Sequence, residues 1–439
     1  MGYTREKLQI LADKFSLADP GDKVPKTSIL LGQNFRVDRT GKLVQRWGYP
    51  QKYRIAGVGY AHSSANNGGD ETSYYTACNV LSGPNPCSVY YNGGSTPIVS
   101  GLSGFRVGFA AMLGKMFIMD RNVQGYHDGA AFWAWAITGP SSAPTPAAGA
   151  TDSTGPNGTY NFYATFEATD QTAESNGGPQ SIAVTVADQD VNFTGIPVST
   201  DPRVGFVNIY AVGGTLGGAY LCLTVANGTT TGTWNTNDLT ITDNGEQMPI
   251  GNGLPPAGCG LAGPYFDALY SWVGNRLFYT PPGQPQYWNT DPAAGAWVDV
   301  GQDGEAIIWC TDHTGVLVIY KEKSVWVLIG DPYTGTLEQI EDGVGLTSAF
   351  AVVKGKGLVD YFVSPGGLRR SDTTRTEEFG PDIRPLFNSS IVNAGNLTPP
   401  GSILTGPNYS ANSLDCYGIA LGYAMGKLYV SYDEQGASA

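Results

Sequence analysis

The sequence predicts an all-β protein: a β-propeller of short antiparallel blades with an inserted β-sandwich and a short N-terminal helix. Three segments that begin at Gly274, Gly315 and Gly357 predict the propeller. In each of them a glycine precedes four to six mostly apolar or aromatic residues, then a turn and a second short run. The three glycines are 41 and 42 residues apart, and a period of about 40–45 residues built from short strands is typical of propeller blades.

The composition supports the same fold class. The chain has 439 residues, of which 60 are glycine and 28 are proline, together with 25 Tyr and 16 Phe. Many turn formers combined with many aromatic residues indicate short strands joined by tight turns. Two further copies of the pattern begin at Gly114 and Gly426. The 160 residues between Gly114 and Gly274 fit the period only if an insertion of about 118 residues is removed.

The insertion is predicted at residues 141–260. Six or seven short runs with strand character alternate there with turn residues, between Pro/Gly-rich segments at 140–150 and 251–260. This pattern predicts a small β-sandwich, and a sandwich whose ends lie close together can be inserted in a blade loop. We interpret 141–150 as a linker and 239–241 as part of the last strand.

The predicted organisation is an N-terminal helix and linker at 1–25, a first part of the propeller at 26–140, the inserted sandwich at 141–260, and the remainder of the propeller at 261–439. The helix is expected near 4–15, where Thr4 is a candidate N-cap. The polar stretch at 62–76 is interpreted as a surface loop. Because one strand follows Gly426, the last blade requires an N-terminal strand, unless the sequence is truncated.

A β-hairpin is predicted at 34–49. Two strand-like runs flank a turn at 39–41, and the second run ends on a cationic and two aromatic side chains. We expect these groups to stabilise either the hairpin or a contact between subunits. The candidate residues are Arg36, Arg46, Trp47 and Tyr49.

The chain is acidic, with a formal net charge of −13 and a pI of about 4.6. A dedicated nucleic-acid binder normally carries a basic patch that replaces phosphate counterions, so the charge argues against that class. An acidic surface can still form a wall past which DNA slides without sticking, although solubility alone would also explain the charge. The N-terminus has no apolar signal segment and the chain has no run of 18 apolar residues, so we expect no membrane span.

Six cysteines are scattered along the chain. Cys78 and Cys87 are nine residues apart across a Gly-Pro-Asn-Pro turn and could form a bridge within a hairpin. The alternative, which we favour, is six free thiols in a protein that folds in the cytoplasm. The absence of a CxxC pair argues against a zinc site.

The sequence contains none of the usual catalytic motifs, such as GxSxG, a P-loop, GxGxxG or HExxH. We therefore predict no enzyme activity, and no catalytic, cofactor-binding or metal-binding residues. The histidines at 62, 127 and 313 are interpreted as locally hydrogen-bonded turn residues. An alternative keeps a glycosidase open, because paired carboxylates can flank a glycosidic bond. The pairs are Asp120 with Asp128 and Glu305 with Asp312.

Aromatic residues of the predicted sandwich leave a similar choice. Tyr163, Tyr210 and Trp234 could stack on sugar rings, although Tyr and Trp in a sandwich more often belong to its core.

Three stretches resemble a known family. The first is Asn34-Phe-Arg36 with Gly41-Lys-Leu43 and Arg46-Trp-Gly48-Tyr49. The third is Val344-Gly-Leu-Thr-Ser348 with Val359 to Leu368 and Phe379 to Ile383. The first and third stretches resemble tail nozzle, or packaged-DNA stabilisation, proteins of short-tailed bacteriophages. The second stretch lies in the insertion, where Tyr160 to Phe166, Glu174-Ser175, Gly195 to Pro197 and Arg203 to Tyr210 are similar to fibronectin- or immunoglobulin-like modules of phage virion proteins.

The resemblance implies a function. It implies a structural virion protein that forms a hexameric ring below the portal and adaptor, continues the DNA conduit, and helps to retain and then release packaged DNA. The implied location is the virion tail, after folding in the host cytoplasm. No catalytic residues follow from the resemblance. Two alternatives remain: a glycan-binding or glycan-cleaving tail protein that contacts the host surface, and a minor head–tail joining protein.

Overall fold

The computed structural model describes residues 87–381, apart from gaps at 93, 95, 104–105, 258–259, 292–294 and 303. It also describes strand segments at 35–37, 43–45, 64–67, 70–78, 419–424 and 426–432. These residues form an all-β protein of many small antiparallel sheets. None of the helices among them is long and apolar enough to cross a membrane. The helix predicted at 4–15 lies outside the described residues.

The first strands form a hairpin and two four-stranded sheets, in which each strand pairs antiparallel with the next along the chain. The hairpin matches the one predicted at 34–49. Its strands are β1 (Phe35–Val37) and β2 (Leu43–Gln45). The first sheet comprises β3 (Ser64–Asn67), β4 (Asp70–Cys78), β5 (Cys87–Tyr91) and β6 (Val99–Leu102), and the second comprises β7 (Gly108–Met112), β8 (Lys115–Met119), β9 (Gln124–His127) and β10 (Phe132–Ala134).

The next strands form a three-stranded sheet and a four-stranded sheet with non-consecutive order, followed by one short helix. The strand orders are β11-β14-β17 and β13-β12-β15-β16. The elements are β11 (Thr145–Thr151), β12 (Asn157–Ala168), β13 (Val184–Ala187), β14 (Gln189–Thr194), β15 (Val204–Gly213), β16 (Tyr220–Ala226), β17 (Thr231–Trp234) and α1 (Asp238–Asn244).

Three more four-stranded sheets then repeat the consecutive topology, and a final sheet has two strands. The 3-10 helix Ala349–Ala351 precedes the third of these sheets. The strands are β18 (Leu261–Tyr265), β19 (Ala268–Val273), β20 (Arg276–Tyr279), β21 (Trp297–Asp299); β22 (Ile307–His313), β23 (Val316–Lys321), β24 (Ser324–Ile329), β25 (Thr336–Asp342); β26 (Val352–Lys354), β27 (Asp360–Ser364), β28 (Gly367–Ser371), β29 (Thr376–Glu378); and β30 (Ile419–Ala424) and β31 (Lys427–Tyr432).

Neighbouring sheets meet through their first strands. β3 contacts β7, β7 contacts β18, β18 contacts β22, β22 contacts β26, and β26 contacts β30. The approach of β7 to β18 depends on Gly108, because a Cβ there would lie 2.4 Å from the backbone nitrogen of Leu261. β7 and β18 are therefore adjacent although residues 113–260 separate them in sequence.

Apolar side chains fill the spaces between consecutive sheets. One core lies between the β3–β6 and β7–β10 sheets, a second between the β7–β10 and β18–β21 sheets, and a third joins the three sheets from β18 to β29. A separate core lies between the two sheets formed by β11–β17. Burial of apolar surface on both faces of short strands explains why these segments are rich in aromatic and branched residues.

The repeat is real, but its register differs from the prediction. The first strands β18, β22 and β26 begin at 261, 307 and 352, which are 46 and 45 residues apart. Gly114, Gly315, Gly357 and Gly426 lie in turns between first and second strands, whereas Gly274 lies between the second and third strands β19 and β20. All five have φ between 61° and 80°, a left-handed conformation that favours glycine in any tight hairpin.

Three local predictions were wrong. The polar stretch at 62–76 contributes β3 and most of β4 rather than a loop, and the linker predicted at 141–150 contains most of β11. The strand predicted at 239–241 is part of α1. Asn237 caps this helix by accepting a hydrogen bond from the Thr240 N–H, and Gly245 ends it in a left-handed conformation.

Candidate functional site

A cavity of about 460 Å³ lies among the first strands of four sheets. We call it the central cavity. Its position follows from the contacts between first strands, because β7, β18, β22 and β26 all contribute to its wall. The lining residues are Arg106, Val107, Phe109, Ala111, Leu261, Ala262, Gly263, Pro264, Trp309, Cys310, Thr311, Asp312 and Lys354.

Arg106 spans this cavity. It precedes β7, and its Nη1 donates hydrogen bonds to the carbonyl oxygens of Ala349 and Val352, at 2.5 and 2.9 Å. The guanidinium carbon lies 4.2 Å from the ring centre of Trp309, within range of a cation–π interaction. Burial lowers the pKa of Arg106 to about 9, against the opposing effect of Asp360, so the side chain stays cationic at neutral pH. Arg106 thus joins two sheets that are separated by two others.

A second connection lies at the other end of β26. The Lys354 ammonium is 3.0 Å from the Asp312 carboxylate, which extends from β22. The two side chains are 46% and 31% exposed, so this ion pair contributes modestly to stability. It nevertheless fixes the ends of two first strands at the wall of the cavity.

A buried polar cluster around Asp360 lies between the same two sheets. The Asp360 carboxylate accepts hydrogen bonds from the hydroxyls of Thr311 and Tyr320, the latter at 2.9 Å, and lies 2.9 Å from His313 Nε2. Asp360 is 1% and His313 7% exposed. Burial, followed by the nearby Asp360 charge, raises the pKa of Tyr320. We call these four residues the Asp360 cluster.

The Asp360 cluster has the residue types of a nucleophilic site but not its arrangement. In a hydrolytic triad the imidazole faces the hydroxyl and the carboxylate orients the imidazole. Here the Thr311 hydroxyl and the His313 ring both face the carboxylate. Burial also raises the pKa of the nearby Cys310 thiol, which disfavours the reactive thiolate. The geometry therefore supports a connection between sheets.

The carboxylates of the two acidic pairs are engaged locally. Asp120 is fully buried and accepts hydrogen bonds from Ser103, Asn122 and Val123. Asp128 accepts from the Trp133 indole and from two backbone N–H groups. Burial alone would raise the pKa of Asp128, but these hydrogen bonds outweigh it and the pKa is lowered.

The second acidic pair is similar. Glu305 accepts hydrogen bonds from the Lys323 N–H and the Ser324 hydroxyl, and Asp312 pairs with Lys354. These contacts occupy the carboxylates with turns and with junctions between sheets. In the part of the chain that the structure describes, no group of three or more His, Cys, Asp and Glu residues could hold a metal ion.

His127 is a buried histidine at the junction of the first two sheets. Its Nδ1 lies 2.9 Å from the Tyr74 hydroxyl and accepts a hydrogen bond from the Gly129 N–H at 3.2 Å. Burial lowers the pKa of His127, against an opposing effect of Asp128. The side chain is therefore neutral near pH 7, and it bonds to another sheet as well as to its own turn. His62 lies outside the described residues.

Two of the three candidate sugar-stacking residues belong to the interior. Trp234 is 1% exposed, and its ring packs edge-on against those of Tyr160 and Phe162 in the core between the two sheets of the β11–β17 region. Tyr210 is fully buried and donates a hydrogen bond to Glu174 at 2.8 Å. Tyr163 is partly buried.

The β11–β17 region is attached firmly to the neighbouring sheet by Arg203. Its guanidinium pairs with Asp201 at 2.7 Å and donates to the carbonyl oxygens of Ala134 and Ala136, at 2.7 and 3.2 Å. It also lies over the rings of Tyr126 and Trp133. Lys115 adds a second attachment through Asp170 and Thr172.

Of the predicted hairpin residues, Arg36 is placed on β1 opposite Val44 of β2. Its side chain, together with Arg46, Trp47 and Tyr49, lies outside the described residues. Cys87 is disulfide-bonded, so the favoured expectation of free thiols is wrong at this position. Cys78 lies directly opposite Cys87 in the register of β4 and β5. Cys222 and Cys310 are free.

Sequence reasoning missed Arg106, Arg203 and Asp360. Arg106 and Arg203 each precede an apolar strand by one or two residues, and this placement was the available signal. The backbone carbonyl groups that these two arginines bond on other sheets are 67 to 246 positions away in sequence. No local motif indicates such distant partners.

Comparisons with known proteins add little. No protein family and no curated protein matches the sequence. Among solved structures, the chain is similar to the extracellular domain of a protein described as a hybrid two-component system from B. thetaiotaomicron, at 10% identity and a TM-score of 0.21. That match covers 63% of this chain, and the chain spans about a third (34%) of that protein. A similarity this low carries no argument about fold or function.

Proposed function

We propose that this chain is a structural protein of a bacteriophage tail. It forms a ring, or nozzle, that continues the DNA conduit below the portal and adaptor and helps to retain and then release packaged DNA. In this proposal the sheets around the central cavity are blades of a propeller, and β11–β17 form an immunoglobulin-like insertion. The resemblance of two stretches to tail nozzle proteins, and of a third to modules of phage virion proteins, suggests the role, and the geometry of the central cavity supports it.

The carrying observation is that the polar groups around the cavity, both buried and partly exposed, are used to join sheets. Arg106 connects the β7–β10 and β26–β29 sheets, and Asp312–Lys354 and the Asp360 cluster connect the β22–β25 and β26–β29 sheets. Catalytic sites instead keep polar groups directed at a substrate. A rigid framework is what the wall of a conduit requires.

The outermost strands support passage of DNA. The fourth strands β21, β25 and β29 carry carboxylates, which also protect exposed sheet edges from pairing with other chains. These residues are Asp299, Glu338, Glu341, Asp342, Glu377 and Glu378, of which Asp299 and Glu377 pair with Arg276 and Arg370. A wall with this charge repels phosphate and prevents adhesion.

The first test is the native mass of the purified protein, alone and mixed with the portal and adaptor of the same virion. The monomer is 46.4 kDa. A closed ring of about six copies, formed alone or on the portal complex, is expected. A chain that joins neither a ring nor the portal complex overturns the proposal. Labelling the protein in intact particles then separates a nozzle from a head–tail joining protein by position.

One observation favours a second candidate, a glycan-binding tail protein. Tyr333 is 55% and Phe266 48% exposed, and the rings of both pack edge-on against buried tyrosines, Tyr279 and Tyr265. Rigid exposed rings of this kind can stack on sugars. A trimer that binds host polysaccharide would favour this candidate, and release of reducing ends would extend it to glycan cleavage.

A further inference from the structure

Exposed apolar side chains are concentrated at one end of the sheets. In a four-stranded meander, the turns between first and second strands and between third and fourth strands lie at the same end. Outside 141–260, five of the seven large hydrophobic residues that are exposed in the described chain occupy these turns or their borders. They are Leu113, Phe266, Ile329, Tyr333 and Leu358. We call this the hairpin end.

The hairpin ends of neighbouring sheets meet in two places. The Tyr265 hydroxyl at the end of β18 donates to the carbonyl oxygens of Leu328 and Gly330, at the end of β24. The rings of Tyr361 and Tyr423 stack with centres 5.7 Å apart and planes 18° apart. This stack joins the β26–β27 hairpin to the β30–β31 hairpin.

Lysines accompany the apolar residues. Lys354 ends β26, Lys356 lies in the β26–β27 turn with Leu358, and Lys427 follows the β30–β31 turn. All three are exposed, although Lys354 also pairs with Asp312. We call Lys354, Lys356, Leu358 and Lys427 the lysine patch. Although the chain has a net charge of −13, the lysine patch is locally positive. Its charge is therefore opposite to that of the acidic outer strands.

We propose that the lysine patch binds the acidic outer strand β25 of a second copy of this chain. Glu338 and Asp342 are exposed on β25, so the two surfaces have opposite charge. The exposed apolar side chains at the hairpin end favour a protein partner, since nucleic-acid interfaces are more polar. Because the two surfaces differ, the contact is heterologous and can close a ring. This contact rests on the proposed function and specifies how neighbouring subunits meet.

Charge exchange tests the contact. One variant carries Lys356→Glu and Lys427→Glu, a second carries Glu338→Lys and Asp342→Lys, and a third carries all four substitutions. Asp243→Lys is the matched control, because Asp243 is exposed on α1, outside both proposed surfaces. Self-association is measured by sedimentation velocity at low salt across a wide range of concentrations, and folding by thermal unfolding.

Each two-residue variant should associate at least about tenfold more weakly than the wild type, while the four-residue variant and an equal mixture of the two variants should recover. Asp243→Lys should behave as the wild type. Unchanged association of the two-residue variants, or no recovery on charge exchange, overturns the contact. A wild type that stays monomeric at every concentration also overturns it, but ring formation on the portal complex would still uphold the proposed function. Loss of labelled duplex DNA binding with unchanged self-association would assign the patch to nucleic acid instead.

Discussion

The side chain of Arg106 donates a hydrogen bond to the carbonyl oxygen of Val352 at 2.9 Å, across 246 positions of sequence. The contact passes through the central cavity and joins sheets that are not neighbours. The central cavity is therefore where the β7–β10 and β26–β29 sheets are joined.

Arg106→Met should lower the free energy of unfolding by about 2–4 kcal/mol. The substitution keeps apolar contact with Trp309 but leaves the carbonyl groups of Ala349 and Val352 without this donor and removes the cation–π interaction. Urea denaturation measures the change. The control is Arg276→Met, because Arg276 also lies over a tryptophan but pairs with Asp299 on the surface of a single sheet. Its cost should stay below about 1 kcal/mol, and equal costs would contradict the role of the cavity.

Arg203→Ala should loosen the attachment of the β11–β17 region without unfolding it. The cores of this region and of the β7–β10 sheet are separate, whereas Arg203 bonds to both Asp201 and the Ala134 carbonyl oxygen. Limited proteolysis should cut the connecting segments, near 141–144 and 246–256, faster than in the wild type. The control Arg375→Ala removes an exposed arginine that pairs within its own turn. Identical cleavage of both variants would show that Arg203 is dispensable for docking.

The pH dependence of stability should include a contribution from His127. Its folded-state pKa lies below the ordinary value of 6.5, because burial disfavours the imidazolium. The unfolded chain therefore takes up the proton first, and this contribution is fully present above about pH 6.5 and declines as the pH falls below it. His127→Gln should flatten the pH dependence between 5 and 7 relative to the wild type. A wild-type profile that is already flat there would refute the assignment.

Reduction of the bond at Cys87 should destabilise the first sheet. If Cys78 is the partner, as the register of β4 and β5 indicates, the closed loop is short and the loss is about 2–3 kcal/mol by the loop-entropy relation. The double variant Cys78→Ser and Cys87→Ser should match the reduced wild type in urea denaturation. Mass spectrometry of non-reduced peptides identifies the bridge, and a Cys87 peptide linked to any other cysteine would exclude this pairing.

The prediction of an all-β chain with a strand period succeeded because both depend on local patterns. Apolar runs of five or six residues and glycines with positive φ mark strands and hairpins wherever they occur. The predicted register of the repeat was wrong because any tight hairpin favours glycine. Gly274 lies in the second hairpin of its sheet, whereas Gly315 lies in the first hairpin of its sheet. The Asn-capped helix at 238–244 was missed because its apolar residues resemble those of a strand.

The site was harder to predict than the fold. Asp360 looks like an ordinary acidic residue at the start of a strand, and His313 like a turn residue, until the two sheets are brought together. Their 2.9 Å contact spans 47 positions and depends on how β22 packs near β26. The stabilising role of Arg36, Arg46, Trp47 and Tyr49 stays a prediction, because their side chains lie outside the described residues.

The distance in sequence between Arg106 and its partners has a consequence for synthesis of the protein on the ribosome. Each four-stranded sheet outside the β11–β17 region consists of consecutive strands, so it can begin to form as its own residues emerge. Arg106, by contrast, must wait for the Ala349 carbonyl, 243 residues later, which takes roughly 12 to 50 seconds at about 5–20 residues per second. During that interval the early sheets and the β11–β17 region are present without their central link. Chaperones or early subunit contacts would act on this partly folded chain.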